Sequence, residues 1–457
     1  MEPSFTADKA VNFIGFGWFQ IKLSLLIGLS WMADSMEMMV LSILSPALHC
    51  EWGLSAFQQA SITTSVFCGM MIGSPIWGRL CDKKGRRVGL IASSVVIFIF
   101  GMLSAVAPEY FTLLIARGLT GVGIGGLHAG VTLYAEYLPT NHRARCILLL
   151  NLFWALGSFF EAVLAYFVMD SLGWRWLLVL STLPIALFIM GCFFLPESAR
   201  YHVACHRNDL AWEELKRIAA TNGQTMPRGR LVDTVPLMEE RGQVKDLFLP
   251  NYRTTTLLLW LCWCICALCY YGVVLYNATL IKSLEQRESV GNECEKLGTP
   301  EYVELMVSSF SEFPGIIITI FIVDFLGRKK TFSFELLTFA LALCALLFTL
   351  ERAWLGASFF TSRAVIVGAW QTLFLYTTEV YPTTLRALGL GVCNGVGRVG
   401  AIMTPFVAQV RPVLDRCFLF YVELVFITYY FTRMLQTMRV EEYAPYYYTS
   451  MDLGPYS

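Results

Sequence analysis

The chain reads as an all-α polytopic membrane protein: twelve transmembrane helices in two pseudo-symmetric six-helix bundles. Three observations carry that expectation. The 457 residues are 56% hydrophobic and only 15% charged, with a mean hydropathy of +0.58, so lipid rather than water is the solvent for much of the chain. Twelve apolar stretches meet or approach the ~20 residues that cross a hydrocarbon core. They run over about 22–48, 56–77, 88–106, 109–135, 146–169, 174–195, 255–280, 302–323, 331–350, 356–378, 388–410 and 417–434. Finally, one charged signature is written twice: Glu136-Tyr-Leu-Pro-Thr-Asn-His-Arg143 returns as Glu379-Val-Tyr-Pro-Thr-Thr-Leu-Arg386, 243 residues later. Helices are the natural reading of such stretches, because an open strand leaves its backbone unsatisfied in lipid.

The organisation follows. Residues 1–21 form a cytoplasmic N-terminus, 22–195 the first bundle, 196–254 a polar central cytoplasmic loop, 255–434 the second bundle and 435–457 a cytoplasmic tail. With the N-terminus in the cytoplasm, only seven of the 34 basic residues lie outside: Arg175, Lys282, Arg287, Lys296, Arg352, Arg411 and Arg416. That bias sets the topology and places both termini in the cytoplasm. Lys9 and Lys22 flank a first apolar run that continues past Asp34, which does not fit a cleavable signal peptide. Zero net charge gives no reason to expect nucleic acid as a partner. The 14 cysteines lie mostly within apolar runs, which argues against a disulfide framework, although Cys50 and Cys294 in outer loops could pair.

Along the first half, span 1 carries Ser30, Asp34 and Glu37 within a ~60° arc at 100° per residue. An ionised Asp at mid-membrane costs ~2.5–3.5 kcal/mol on the insertion scale, so such groups face a cavity or a partner. These two carboxylates read as a cation or proton site, or as the structural partners of Arg117 in span 4. Span 4 also holds His128, eleven residues on and so on nearly the same helix face. Between spans 2 and 3 the turn Asp82-Lys-Lys-Gly85-Arg86-Arg87 is rich in charge, and Glu136 and Arg143 follow span 4. Glu161 lies in span 5, and Leu195-Pro-Glu197-Ser-Ala-Arg200 follows span 6.

The second half repeats this order. Glu312 lies in span 8, and Asp324-Phe-Leu-Gly327-Arg328-Lys329 forms the second turn, 242 residues after the first. Arg363 and Gln371 lie in span 10, Glu379 and Arg386 follow it, and Asn394 and Arg398 lie in span 11. Positive-inside anchoring is the plainer reading of each turn; their repetition beside the glutamate–arginine signatures favours a gating lock. Exposed pairs worth ~0–1 kcal/mol each can form and break readily. Span 12 is short and interrupted by Glu423.

Two apparent motifs are set aside. Gly121-Val-Gly123-Ile-Gly125-Gly126 fits a dinucleotide loop by letter, yet no strand precedes it, so close helix packing is expected instead. Cys262, Cys264, Cys266 and Cys269 sit among Trp and Leu in span 7 without a closed ligand set, so no metal and no cofactor is expected. Asn277-Ala-Thr279 is a glycosylation sequon at the outer end of span 7, close to the membrane.

These residues carry a resemblance. The arrangement from residue 20 to about 410 resembles the major facilitator superfamily, in particular its sugar-porter-like branch, whose Pro-Glu-Ser-x-Arg motif matches Pro196-Glu197-Ser198-Ala199-Arg200. Within it, Ala33-Asp34-Ser-Met-Glu37-Met-Met and the stretch from Thr377 through Arg386 to Gly391 are similar to the synaptic vesicle 2-related proteins, and more particularly to their "like" branch. The resemblance implies that Arg86, Arg87, Glu136, Arg143, Glu197, Arg200, Arg328, Glu379 and Arg386 form the intracellular network that closes the inward gate. It also implies a Pro-Glu-Thr-Lys-Gly ending to span 12, which this chain lacks.

The sequence therefore predicts a secondary transporter of a small organic molecule, plausibly an ion, working by alternating access with protons as the candidate coupling ion. The partners expected are the lipid bilayer and a small-molecule substrate, and the chain is expected to act as a monomer. The substrate and proton pathway would involve Asp34, Glu37, Arg117, His128, Glu161, Glu312, Gln371, Asn394 and Arg398. The divergent end of the chain motivates the rival reading, a non-transporting receptor or scaffold. An enzyme is disfavoured, because residues 196–254 offer no nucleophile–base or metal constellation. A vesicle or other intracellular membrane is the location the resemblance implies.

Overall fold

Eleven of the twelve expected spans fall on helices of the computed structural model, which describes residues 4–232, 243–288, 298–348, 352–381 and 383–409. The twelfth expected span and the tail lie outside those residues. The first half contains α2 (Trp18–Trp52), α3 (Ala56–Lys84), α4 (Arg86–Ala105), the broken crossing α5 (Tyr110–Ile124) and α6 (His128–Glu136), α7 (Thr140–Val168), and the broken crossing α8 (Trp174–Ser181) and α9 (Leu183–Gly191). The second half contains α12 (Pro250–Glu288), the broken crossing α13 (Thr299–Phe310) and α14 (Glu312–Leu326), α15 (Arg328–Phe348), α16 (Arg352–Val380) and α17 (Thr383–Gln409). Eight of these crossings are long and apolar enough to span a membrane by length and composition. The other three, α3, α15 and α16, have 29, 21 and 29 residues and carry more polar side chains.

The duplication is visible in the helices themselves. α3 starts at 56 and α13 at 299, 243 residues apart; α4 starts at 86 and α15 at 328, 242 apart; α7 and α17 start at 140 and 383, 243 apart. Small residues let the helices of each half touch backbone to backbone. A Cβ on Gly73 would meet the main chain of Val122, and one on Gly121 that of Val66; in the second half a Cβ on Gly315 would meet Ala364 and one on Gly400 would meet Cys264. The glycine run of span 4 is thus a packing ridge, as its helical context requires. The two halves meet where α3 packs against α17 and where α7 packs against α13 and α14.

A polar cap covers the side carrying the N-terminus. There β1 (Ser4–Phe5) pairs in parallel with β2 (Arg230–Leu231), beside α1 (Ala7–Ile14), α10 (Ala199–Ala204) and α11 (Asn208–Thr221). Asn222, at the end of α11, fastens the cap to the first crossing. Its Oδ1 accepts from the Phe19 N–H at 2.9 Å and its Nδ2 donates to Gln20 Oε1 at 2.9 Å.

Candidate transport site and gate

At mid-depth each half buries one arginine–carboxylate pair. Arg117 Nη1 on α5 donates to Glu37 Oε2 on α2 at 2.6 Å, with both side chains almost wholly buried. Arg363 Nε on α16 donates to Glu312 Oε1 on α14 at 2.8 Å, again buried. A buried pair offsets its desolvation only where the geometry is close and the remaining lone pairs are satisfied. Glu312 meets that condition with two more donors: the Tyr270 hydroxyl at 3.0 Å and the Ser158 hydroxyl, from the other half, at 3.3 Å. Tyr270 in turn accepts from Trp154 Nε1 at 2.6 Å, and the Arg363 guanidinium reaches Met39 Sδ at 3.8–3.9 Å. Glu312 is therefore a node between the halves, whereas Glu37 and Arg117 pair within one.

Asp34 behaves differently. It is 1% exposed, yet neither carboxylate oxygen has a hydrogen-bond partner among the described residues. Arg398, on α17, lies within electrostatic range of it. That guanidinium contacts the Tyr271 hydroxyl at 3.3 Å, Met70 Sδ at 3.6 Å and His128 Nε2 at 3.4 Å. Nδ1 of His128 has no partner, and its ring stands edge-on to Trp31 with centroids 5.2 Å apart. The structure thus brings together Asp34, His128 and Arg398 in one cluster and Glu37 and Arg117 in a second, with Glu161 within electrostatic range of both members of that second pair. Glu161 accepts from Ser181 Oγ at 2.8 and 2.9 Å.

The remaining sequence candidates are placed less informatively. Gln371 is buried with both amide atoms unpartnered, and Asn394 is half-buried on α17. Sequence reasoning missed Glu335, which is 5% exposed on α15 and accepts from Thr319 Oγ1 at 2.7 Å and Thr372 Oγ1 at 3.0 Å. The signal was available, since Glu335 is an acid inside an apolar span. Tyr270, Tyr271 and Met39 were also missed, and no spacing rule would have singled them out from packing residues.

The residues that the sequence suggests as a gate form two clusters, one in each half. In the first half Glu197 caps α4: its carboxylate accepts from the Arg86 N–H at 2.8 Å, the Arg87 N–H at 3.3 Å and the Ser198 N–H at 2.9 Å. Gly85, at φ +103°, leaves the space this carboxylate occupies. Glu136 accepts from Ser198 Oγ, so Arg86 Nε stands off at 4.0 Å and Arg86 Nη2 turns to Asp82 at 3.3 Å. Arg200 pairs with Asp8, Arg143 Nη2 donates to the Leu138 carbonyl at 3.1 Å, and Arg87 Nη2 reaches the Phe193 carbonyl at 3.4 Å. In the second half Arg328 grips Glu379 through Nε at 3.1 Å and Nη2 at 2.9 Å, while Asp324 and Arg386 are exposed. Among the described residues no ion pair joins the two clusters.

Asn277 is 3% exposed and its amide donates to Ser308 Oγ at 2.9 Å, so the sequon is not presented to solvent in this conformation. Cys262, Cys266 and Cys269 are buried and Cys264 half-buried on α12, and the described residues hold no metal-ligating cluster. Cys50 is disulfide-bonded; Cys294 lies outside the described residues.

A multi-pass helical protein with buried charges where two repeated halves meet has the build of a membrane transporter. The chain belongs to the family described as "Sugar (and other) transporter", which matches residues 29–440, and it has the all-α major facilitator fold. It is 50% identical to the synaptic vesicle 2-related protein of Xenopus laevis over 90% of this chain and 76% of that protein. Identity is 34% to human SVOPL (90% and 86% covered) and 35% to the organic cation/carnitine transporter 7 of Arabidopsis thaliana (88% and 88% covered). Identity is thus higher to the synaptic vesicle 2-related protein than to SVOPL. The E. coli xylose transporter XylE, in a partially occluded inward-open conformation, superposes with a TM-score of 0.71 at 17% identity, covering 92% of this chain and 98% of its own.

Proposed function

We propose that the protein is a secondary transporter that carries a small organic ion by alternating access, with the Glu37–Arg117 pair as its proton-coupling group. The observation that carries this reading is Asp34, a buried carboxylate with no hydrogen-bond partner among the described residues, within electrostatic range of Arg398 from the opposite half. A group so placed is expensive unless a ligand or proton compensates it. The Glu37–Arg117 pair suits coupling because protonating Glu37 would break one bond inside one half and leave the contacts between halves intact. The name of the plant relative, an organic cation/carnitine transporter, supports an organic ion as cargo.

The contacts between halves support an arrangement closed on the side away from the cap. Phe57 meets Phe406 at 5.6 Å, Phe159 meets Phe310 at 5.9 Å and Thr64 donates to the Ile402 carbonyl at 3.4 Å, all toward that side. The cap-side ion pairs stay within each half, so the site would open toward the cap, and closing that side would bring the two clusters together. We take the cap side as cytoplasmic and the membrane as that of a vesicle, in line with the name of the 50% identical relative, with the chain acting as a monomer.

Reconstitution into proteoliposomes tests this directly, with labelled organic cations and anions supplied with and without a pH gradient. Wild type should accumulate at least one ion, Asp34→Asn should abolish uptake, and Glu37→Gln should keep exchange but lose the response to the gradient. Equal flux in both variants would sink the mechanism. Binding without exchange would instead mark a receptor or scaffold.

A further inference from the structure

We propose that the cluster between Asp34 and Arg398 binds a small organic zwitterion, with an alkylated ammonium group against Asp34 and a carboxylate against Arg398. The proposal rests on the organic-ion reading above and narrows it to one substrate class.

The argument starts from which buried charges are already matched. Of the three arginines buried within the described spans, Arg117 is held by Glu37 at 2.6 Å and Arg363 by Glu312 at 2.8 Å. Arg398 has no carboxylate within ion-pair distance among the described residues; it meets a hydroxyl, an imidazole nitrogen and a thioether. Among the buried acids, Glu161 is bonded by Ser181 and Glu335 by two threonines, while Asp34 accepts nothing. One carboxylate and one guanidinium are thus left over, near each other but not paired, with Tyr271 within electrostatic range of both. Leaving either uncompensated in a low dielectric is costly. A single dipolar ligand compensates both. An organic cation would leave Arg398 unmatched, an organic anion would leave Asp34 unmatched, and a neutral sugar would match neither.

The lining adds aromatic rings to the cluster. Trp31 lies one turn before Asp34, and its ring stands 5.2 Å from His128 and 6.0 Å from Trp154. Aromatic rings in the same cluster suit a large, weakly hydrated alkylammonium, and a guanidinium fork matches a carboxylate in two parallel bonds. Asp34 and Arg398 also belong to different halves, so a ligand joining them reports the relative position of the halves, as alternating access requires.

Calorimetry on the full chain in nanodiscs provides the test, with trimethylammonium carboxylates of one to three intervening methylenes, tetramethylammonium, and butyrate. At least one zwitterion should bind tenfold or more tightly than either fragment. Asp34→Asn should lose that advantage yet still bind butyrate, and Arg398→Gln should lose it yet still bind tetramethylammonium. The retained fragment shows that each variant is folded. Tetramethylammonium binding as tightly as every zwitterion would overturn the proposal and leave organic-ion transport standing. So would a failure of all the zwitterions to bind while another organic ion is taken up. No binding of any probe together with no uptake of any organic ion would remove both readings.

Discussion

The two halves share a plan but use their buried arginine in different ways. In the first half Arg117 binds Glu37, a single contact enclosed within that half. In the second, Arg363 binds Glu312, which also accepts from Ser158 of the first half, while the arginine itself reaches Met39 of the first half. The register differs as well. The packing pairs Gly73–Val122 and Gly315–Ala364 are each offset by 242, whereas Arg117 and Arg363 are offset by 246. The second arginine therefore sits four residues, about one helical turn or ~6 Å, further along its helix. Duplication supplied the arginine twice, but its carboxylate comes from the first crossing in one half and from the second crossing in the other, which leaves one pair self-contained and makes the other a strut between the halves.

The largest expected effect follows from that contrast. Glu312→Leu removes the partner of a buried guanidinium and strands the Tyr270 hydroxyl, while Ser158 keeps the Ala155 carbonyl at 3.1 Å, so it should destabilise by ~3–5 kcal/mol. Glu37→Leu also orphans an arginine but breaks one contact instead of three. Its loss should be smaller by ~1–3 kcal/mol, the worth of two hydrogen bonds. Unfolding of both variants in nanodiscs gives the ranking, and equal losses would mean that the second pair is no strut.

A second comparison concerns the turns. Gly85 and Gly327 both adopt positive φ, +103° and +78°. Alanine at either should cost ~1–3 kcal/mol in backbone strain. At Gly85 the new Cβ would also press on the Glu197 carboxylate, whereas at Gly327 nothing lies within 4 Å. Displacing a cap of α4 adds ~1 kcal/mol, so Gly85→Ala should unfold at the lower temperature of the two. The reverse order would show that Glu197 moves aside freely.

Much of this was legible in the sequence because lipid imposes strict rules. Span length and the doubled charged turns follow from hydropathy and repetition, and the Glu37–Arg117 pairing follows from matched depth on neighbouring helices. What was not legible depended on rotation between helices. Glu197 reads as a gate carboxylate, yet it grips the backbone N–H groups of Arg86 and Arg87 rather than their guanidinium groups. No pattern of side-chain types reveals a bond to main chain. Asp34 and Glu37 sit one turn apart and read as a like pair; only the packing of α5 and α17 separates a satisfied carboxylate from an orphaned one.

The smallest effect should fall on the cap-side pairs. Arg328 and Glu379 retain 36% and 43% of their side-chain exposure, and in the first half Arg86 stands 4.0 Å from Glu136 because Ser198 already occupies that carboxylate. Water competes for the first pair and the second lies beyond hydrogen-bond reach, so Arg328→Gln and Arg86→Gln should each change unfolding by less than ~1 kcal/mol. Their consequence should appear in the balance between states instead. If the clusters meet only when the cap side closes, removing one cation weakens that closed state and not the one described here. Transport rates should then change severalfold while thermal stability hardly moves. A rate that stays at the wild-type value in both variants would mean that these arginines anchor the chain at the membrane surface and take no part in gating.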